Sequence, residues 1–185
     1  MIWRLFKKDE PEQEVAPTAD PEQAWKTLAL VNEWLRHAET KLGFVLAATG
    51  VSGGVLFNLV KDQQNTSLVF NIFATICCLS AVAAGTFAIV GLYPKTSIDK
   101  SNPGSNPLFF GDIARIYEKN GAGYVVRLQS TIKDSVEIVD LIGHQIHANS
   151  VIARRKYRWA DRALKVLFAD VTLLGIVAFL IAMNW

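Results

Sequence analysis

Ser67–Tyr93 reads SLVFNIFATICCLSAVAAGTFAIVGLY, a stretch without one Asp, Glu, Lys or Arg. Crossing a hydrocarbon core of about 30 Å takes roughly 20 helical residues, and this run is long enough to do so. With no water in that layer to bond the backbone, the run must satisfy its own N–H and C=O groups, so it forms a helix. Pro94 stops it, because proline has no N–H to donate and disfavours helix in the residue before it.

Two more apolar stretches flank this one. Leu42–Val60, LGFVLAATGVSGGVLFNLV, lies between Lys41 and Lys61 and reads as a first span. Val166–Trp185 reads as a third, although it contains Asp170, whose charge must find a partner or sit near the interface. The whole chain of 185 residues is 51% hydrophobic with mean hydropathy +0.23, more apolar than a soluble domain of this size. The expected fold class is all-α: a multi-pass helical membrane protein with a cytoplasmic helical portion, built from long helices continuous with the spans.

Basic residues near the span ends set the orientation. Lys61–Thr66 carries one Lys, whereas Lys95–Arg158 carries ten Lys and Arg. The N-terminus and the long loop are therefore expected in the cytoplasm of a bacterial inner membrane, with the C-terminus outside. No apolar region with a cleavage site occurs in MIWRLFKKDEPEQEVAPTADPEQ, so no cleaved signal peptide is expected. The net charge of +2 hides a basic cluster, ARRKYRWADRALK, which suits anionic headgroups at the start of the third span.

The expected organisation is a disordered tail over 1–19, apart from an interfacial anchor at MIWRLF, and a cytoplasmic helix over 20–41. A transmembrane hairpin follows over 42–93, with spans at 42–60 and 67–93. A cytoplasmic loop and long helix occupy 94–165, and the third span 166–185. Asp20, Pro21 and Gln23 spell a helix start with a capping box. Ala24, Leu28, Val31, Leu35, Ala38, Leu42 and Val45 recur at alternating spacings of four and three, so one helix runs from cytoplasm into the membrane. Its opposite face, Glu33, Arg36, His37 and Thr40, is either solvated or a ligand site.

After the second span, Pro, Gly, Asn and Ser break the chain into turns before a short helix expected from Asn106 and Pro107 to Asn120 and Gly121. Val125, Leu128, Ile132, Ser135, Val139, Ile142, Ile146, Asn149 and Ala153 repeat in sevens, which predicts one long helix from about Gly123 to the third span. Ser135 and Asn149 interrupt its apolar stripe and would set register or bind a ligand. In the spans, Gly50 with Gly54, Ala81 with Gly85 and Ala84 with Ala88 suit close packing inside the hairpin or association between subunits.

Catalytic and metal chemistry find few residues. Cys77 and Cys78 are adjacent in an apolar span and read as small fillers. His144 and His147 share a helical face but lack a Glu or Cys at matching spacing, so no metal site is expected. There is no phosphate loop, nucleophile elbow or carboxylate pair, so catalytic residues are none and the chain is not expected to be an enzyme.

AWKTLALVNEWLRHAETKLGFVLA, then the hairpin, SNPLFFGDIA and the late QIHANSVIARRKYRWA helix together resemble the transmembrane effector family of Pycsar antiphage systems, over about Ala24–Leu164. The matching positions are Glu39 and Lys41, then Asn106, Phe109, Phe110 and Gly111, then Gln145, Lys156 and Tyr157. The resemblance implies a two-gene system in which a partner nucleotide cyclase makes cyclic UMP or cyclic CMP on infection. The effector then impairs the inner membrane and cell death limits phage spread. It implies no cofactor, a cyclic pyrimidine nucleotide as ligand, the lipid bilayer and a homo-oligomer as partners, and no nucleic acid polymer.

Such a nucleotide presents one phosphate charge, a ribose and a flat base. Arg36, Lys41, Arg154, Arg155 or Lys156 would meet the phosphate. Asn106, Gln145 or Asn149 would read the pyrimidine edge, and Phe109, Phe110 or Tyr157 would stack on it. Phe109 and Phe110 could equally be packing residues. Two other classes compete: a membrane scaffold recruiting a partner through the heptad helix, and a transporter or channel subunit, for which only Asn58, Asn71 and Asp170 offer intramembrane polarity.

Overall fold

The computed structural model describes residues 19–64, 67–93 and 106–183, and every regular element among them is a helix: α1 (Pro21–Val60), α2 (Leu68–Leu92), α3 (Phe110–Tyr117), α4 (Gly121–Lys133) and α5 (Ser135–Ala182). The expectations for residues 1–18, including the MIWRLF anchor, for Pro94 and the turns up to Ser105, and for the last two residues of the third span lie outside the described residues.

Helix α1 starts where its sequence says it should. The Asp20 carboxylate accepts from the N–H groups of Glu22 and Gln23, at 2.9 and 3.3 Å, and Pro21 occupies the first turn. The reciprocal bond from Gln23 back to the Asp20 N–H is not made, so only half of the capping box forms. Forty residues make α1 about 60 Å long and 48 make α5 about 72 Å, each roughly twice the hydrocarbon thickness. Three helices, α1, α2 and α5, are long and apolar enough to cross a membrane. The protein is a multi-pass helical membrane protein in which α1 and α5 continue past their apolar segments.

Those two helices run parallel with a fixed offset. Asn32 meets Asn149 and Glu39 meets Lys156 at a separation of 117 residues, and Ser52 meets Asp170 at 118. The buried stripe of α1, namely Leu28, Val31, Ala38, Leu42, Val45, Thr49, Ser52 and Leu56, keeps the spacing of three and four through the span. Helix α2 returns antiparallel and packs on both. At one end of the spans Leu42, Val45, Ala84, Ala88, Ala160, Ala163 and Leu167 form a core from all three helices. At the other end Leu56, Phe70, Cys77 and Val177 form a second. Beyond the spans, Leu28 packs with Ile138 and Ile142, with Leu108 against them.

The single long helix expected from Gly123 is instead two. Asp134 adopts an extended backbone, and its carboxylate accepts from Val136 N and Glu137 N at 2.9 and 3.1 Å, capping a new helix. An ion pair between Arg127 and Glu137 ties α4 back to α5. The heptad stripe thus holds only from α5 onward, and Val125 and Ile132 are exposed. Ser135 opens α5 and sits in no seam. The short helix begins at Phe110, not at Asn106, because the Asn106 carbonyl and side chain accept from Phe109 N and Leu108 N and hold a turn. Asn120 caps α4, accepting from Gly123 N at 2.9 Å.

The small-residue pairs divide. Ala81, Ala84, Gly85 and Ala88 are buried inside the hairpin, while Gly50 and Gly54 face open space. At Gly91, α2 packs tightly against both partners: a Cβ there would meet Leu42 Cδ2 at 2.7 Å and Trp159 Cβ at 2.9 Å. Gly91→Val is expected to destabilise the protein by about 1–3 kcal/mol through overpacking. Gly50→Ala, by contrast, should be neutral or stabilising by up to about 1 kcal/mol from reduced backbone freedom. Thermal unfolding of detergent-solubilised protein reads both.

Candidate ligand site where the long helices leave the spans

Lys156 sits in the α1–α5 seam at the edge of the apolar region. Its ammonium donates to Glu39 Oε1 at 2.9 Å, with the Lys156 side chain 11% exposed and the Glu39 side chain 45%. One residue on, Tyr157 carries the Lys41 ammonium over its ring, 5.2 Å from the centroid, a cation–π arrangement. Arg155 lies beside Lys156 in a cleft between α2 and α5 lined also by Val90, Gly91, Tyr93 and Ile152. That cleft holds about 30 Å³, the share of one water molecule and far less than a nucleotide.

The outward face of α5 adds Arg154, Arg158 and Arg162, four residues apart, which with Tyr157 and Asp161 line an open concavity. Asp161 is engaged by Lys165 at 2.8 Å, so it does not neutralise this row. Arg162 stacks over Trp159, whose ring meets Phe87 at 5.9 Å. The arginine row and the Lys41, Arg155 and Lys156 group thus flank the point where α1 and α5 enter their apolar segments, in a position that suits phosphate.

The remaining sequence-derived candidates fall in two other places. Gln145 donates to Asn149 Oδ1 at 3.0 Å, and Asn149 donates to Asn32 Oδ1 at 2.7 Å, an amide chain two helical turns above Lys156. Asn106 lies at the far end, where its amide donates to Leu141 O at 3.2 Å and accepts from Leu108 N at 2.9 Å. Its backbone N–H donates to Asp112, whose other oxygen accepts from Arg115. The Asn106 amide N–H thus ties the loop to α5, while its oxygen holds the local turn at Leu108. The Phe109 and Phe110 rings pack against each other tilted by 56°, their centroids 4.9 Å apart, and Phe110 is 69% exposed. Arg36 is exposed on α1, with no ion pair among the described residues.

Sequence reasoning passed over Asn32, Ser52 and Ser80, and it named Asp170 as a charge in need of a partner without finding that partner. Spacing could have placed Asp170 on the helix seam, because Asn149, Lys156 and Asp170 fall on one face of α5 at multiples of seven. Among the described residues no group of His, Cys, Asp and Glu could hold a metal ion, and His144 instead lies 3.7 Å from Asp140.

Fold and site together define a polytopic all-helical membrane protein whose long helices carry a basic, aromatic cluster at the foot of a polar extension. The chain belongs to the Pycsar effector family: residues 23–183 match the Pycsar effector protein domain. It is similar to the Pycsar effector protein PtPycTM of Propioniciclava tarda, with 34% identity over 164 residues, 89% of this chain and 81% of that protein. No solved structure matches the chain significantly. Membership makes the chain an effector of the Pycsar type of antiphage defence.

Because Lys156 is nearly buried, reversing the charge of its partner is costly. Glu39→Lys is expected to destabilise by about 1–3 kcal/mol, and adding Lys156→Glu should recover most of that loss. A thermal-unfolding cycle over the two single variants and the double variant checks the coupling.

Proposed function

We propose that this effector senses a cyclic pyrimidine mononucleotide, cyclic UMP or cyclic CMP, made by a partner cyclase, and responds by impairing the inner membrane so that the infected cell dies. The observation that carries this reading is the cluster of Lys41, Arg155, Lys156 and Tyr157 on the two helices that continue into the bilayer. A nucleotide offers one phosphate charge and one flat base. Lys41 already rests on the Tyr157 ring, so a base stacking there releases the ammonium to the phosphate. Arg36, Gln145 and Asn149 lie further up the same helix pair and extend the surface that reads the ligand. Phe109 and Phe110 form a second aromatic surface.

The N-terminus and the polar helix pair face the cytoplasm, following the excess of Lys and Arg beside that end of the spans. A ligand that favours one arrangement of α1 and α5 shifts an equilibrium that exists without it, and the helices carry the shift into the spans. Assembly into a homo-oligomer would use outward small residues such as Gly50 and Gly54.

Entry of a membrane-excluded dye into bacteria expressing the protein, with and without a source of cyclic UMP or cyclic CMP, tests the proposal. Dye entry only with nucleotide is expected. Stacking and charge contacts of this kind are each worth about 1–3 kcal/mol, so Tyr157→Ala and Lys41→Ala should each raise the nucleotide needed by roughly tenfold or more. An unchanged response in both variants would remove these residues from the site. A second reading, a membrane scaffold recruiting a partner, draws on exposed Val126 and Val136 at the far end, 68% and 69% accessible. It predicts no dye entry with either nucleotide at confirmed expression.

A further inference from the structure

Between the two apolar cores of the spans lies one polar cluster that draws on all three helices. Asp170 of α5 is fully buried. Its Oδ2 accepts from Ser52 Oγ of α1 at 2.6 Å, and its Oδ1 accepts from Ser80 Oγ of α2 at 2.9 Å. The Cys77 thiol of α2 lies 3.5 Å from the same Oδ1. Ser80 Oγ is also 2.8 Å from the Cys77 carbonyl, so its single proton has two acceptors within reach. The carboxyl sits about 18 Å of helix from the end of α5, deep in the apolar layer.

Apolar contacts alone hold spans together weakly, because lipid tails are as apolar as the side chains that would replace them. A carboxyl is different. Facing lipid it would lose its partners in a medium that offers none, so it stays among protein donors or meets water. The three-helix packing around Asp170 therefore has two tolerable states, hydroxyl-bonded and hydrated, with nothing comfortable between them. We infer that the Asp170–Ser52–Ser80 cluster is the latch of the resting span packing, and that membrane impairment requires its hydroxyl bonds to be exchanged for water. This rests on the reading above that the effector impairs the membrane.

Cys77 reports on the latch directly, since it is buried in the cluster while its neighbour Cys78 is exposed. In the full chain carrying Cys78→Ala, a small water-soluble methanethiosulfonate reagent is applied to both sides of membrane vesicles and labelling of Cys77 is timed. Without nucleotide the parent should be shielded. Ser52→Ala/Ser80→Ala strips Asp170 of its hydroxyl donors, so Cys77 should label about tenfold faster or more. Asp170→Asn retains an acceptor for Ser52 and gains a donor for Ser80, whose proton then turns to the Cys77 carbonyl, so it should label as slowly as the parent.

The latch is overturned if the double serine variant, accumulating normally, labels no faster than the parent, or if Asp170→Asn labels as fast as the double variant. Should the double variant fail to accumulate, Ser52→Ala alone, which removes the 2.6 Å bond, is read in the same way. Cyclic UMP or cyclic CMP should speed Cys77 labelling in step with dye entry. Dye entry with Cys77 still shielded overturns the latch while the function stands. No dye entry with either nucleotide overturns the function, and the nucleotide-free comparison still decides the latch.

Discussion

A carboxyl group in the apolar middle of a helix bundle must keep its hydrogen-bond donors, and that constraint fixes this protein's helices relative to one another. Asp170 binds Ser52 and Ser80, one hydroxyl from each of the other two spans. Sliding α5 along α1 by a single turn would separate Asp170 from Ser52 and, at the same stroke, Lys156 from Glu39 and Asn149 from Asn32. The near-constant offset between α1 and α5 is the visible result. Apolar seam residues would tolerate neighbouring registers with modest loss, whereas the polar rungs accept only one.

The same rungs explain how an event outside the membrane could be felt inside it. Helices α1 and α5 are unbroken from the polar extension to the far end of the spans. Lys156 lies two heptads from Asp170 on the same seam, with Ala160, Ala163 and Leu167 packed between them. A ligand that moves Lys41, Lys156 or Tyr157 acts on a stiff element whose other end holds a buried carboxyl. The close approach of Gly91 to Leu42 and Trp159 brings α2 into the same unit just above the apolar core. Coupling over this distance needs an element with two discrete arrangements rather than a wire of contacts, and a bonded-or-hydrated carboxyl is such an element.

The polar end is built differently. Asn106 ties the loop to α5, Asp112 gathers Asn106 and Arg115, and Asp134 starts α5 by capping its first amides. Asn106 thus acts as a structural pin, with its amide N–H on α5 and its oxygen on the Leu108 turn. Family membership accounts for the effector role, while the geometry supplies a basic, aromatic foot to the helix pair, with a narrow cleft of about 30 Å³ beside Lys156 and an open concavity of about 600 Å³ along Arg154, Arg158 and Arg162.

Much of the architecture was legible in the sequence. Absence of charge over Leu42–Val60 and Ser67–Tyr93 marks spans because a lipid core rejects ions, and alternating steps of three and four mark α1 as one helix because its side chains repeat every 3.6 residues. The break at Asp134 was legible too, in the capping pattern Asp134–Ser135–Val136–Glu137, but the heptad stripe overrode it, since periodicity continues across a break that keeps phase by chance. What no sequence pattern carried was which helix faces meet. Asn32 against Asn149, Glu39 against Lys156, and Ser52 and Ser80 on Asp170 are each separated by ninety residues or more. Local patterns fix the helices because backbone bonds and periodicity are local. Only the tertiary structure decides the seam, because a buried polar group is satisfied by whatever partner the other helices bring to it.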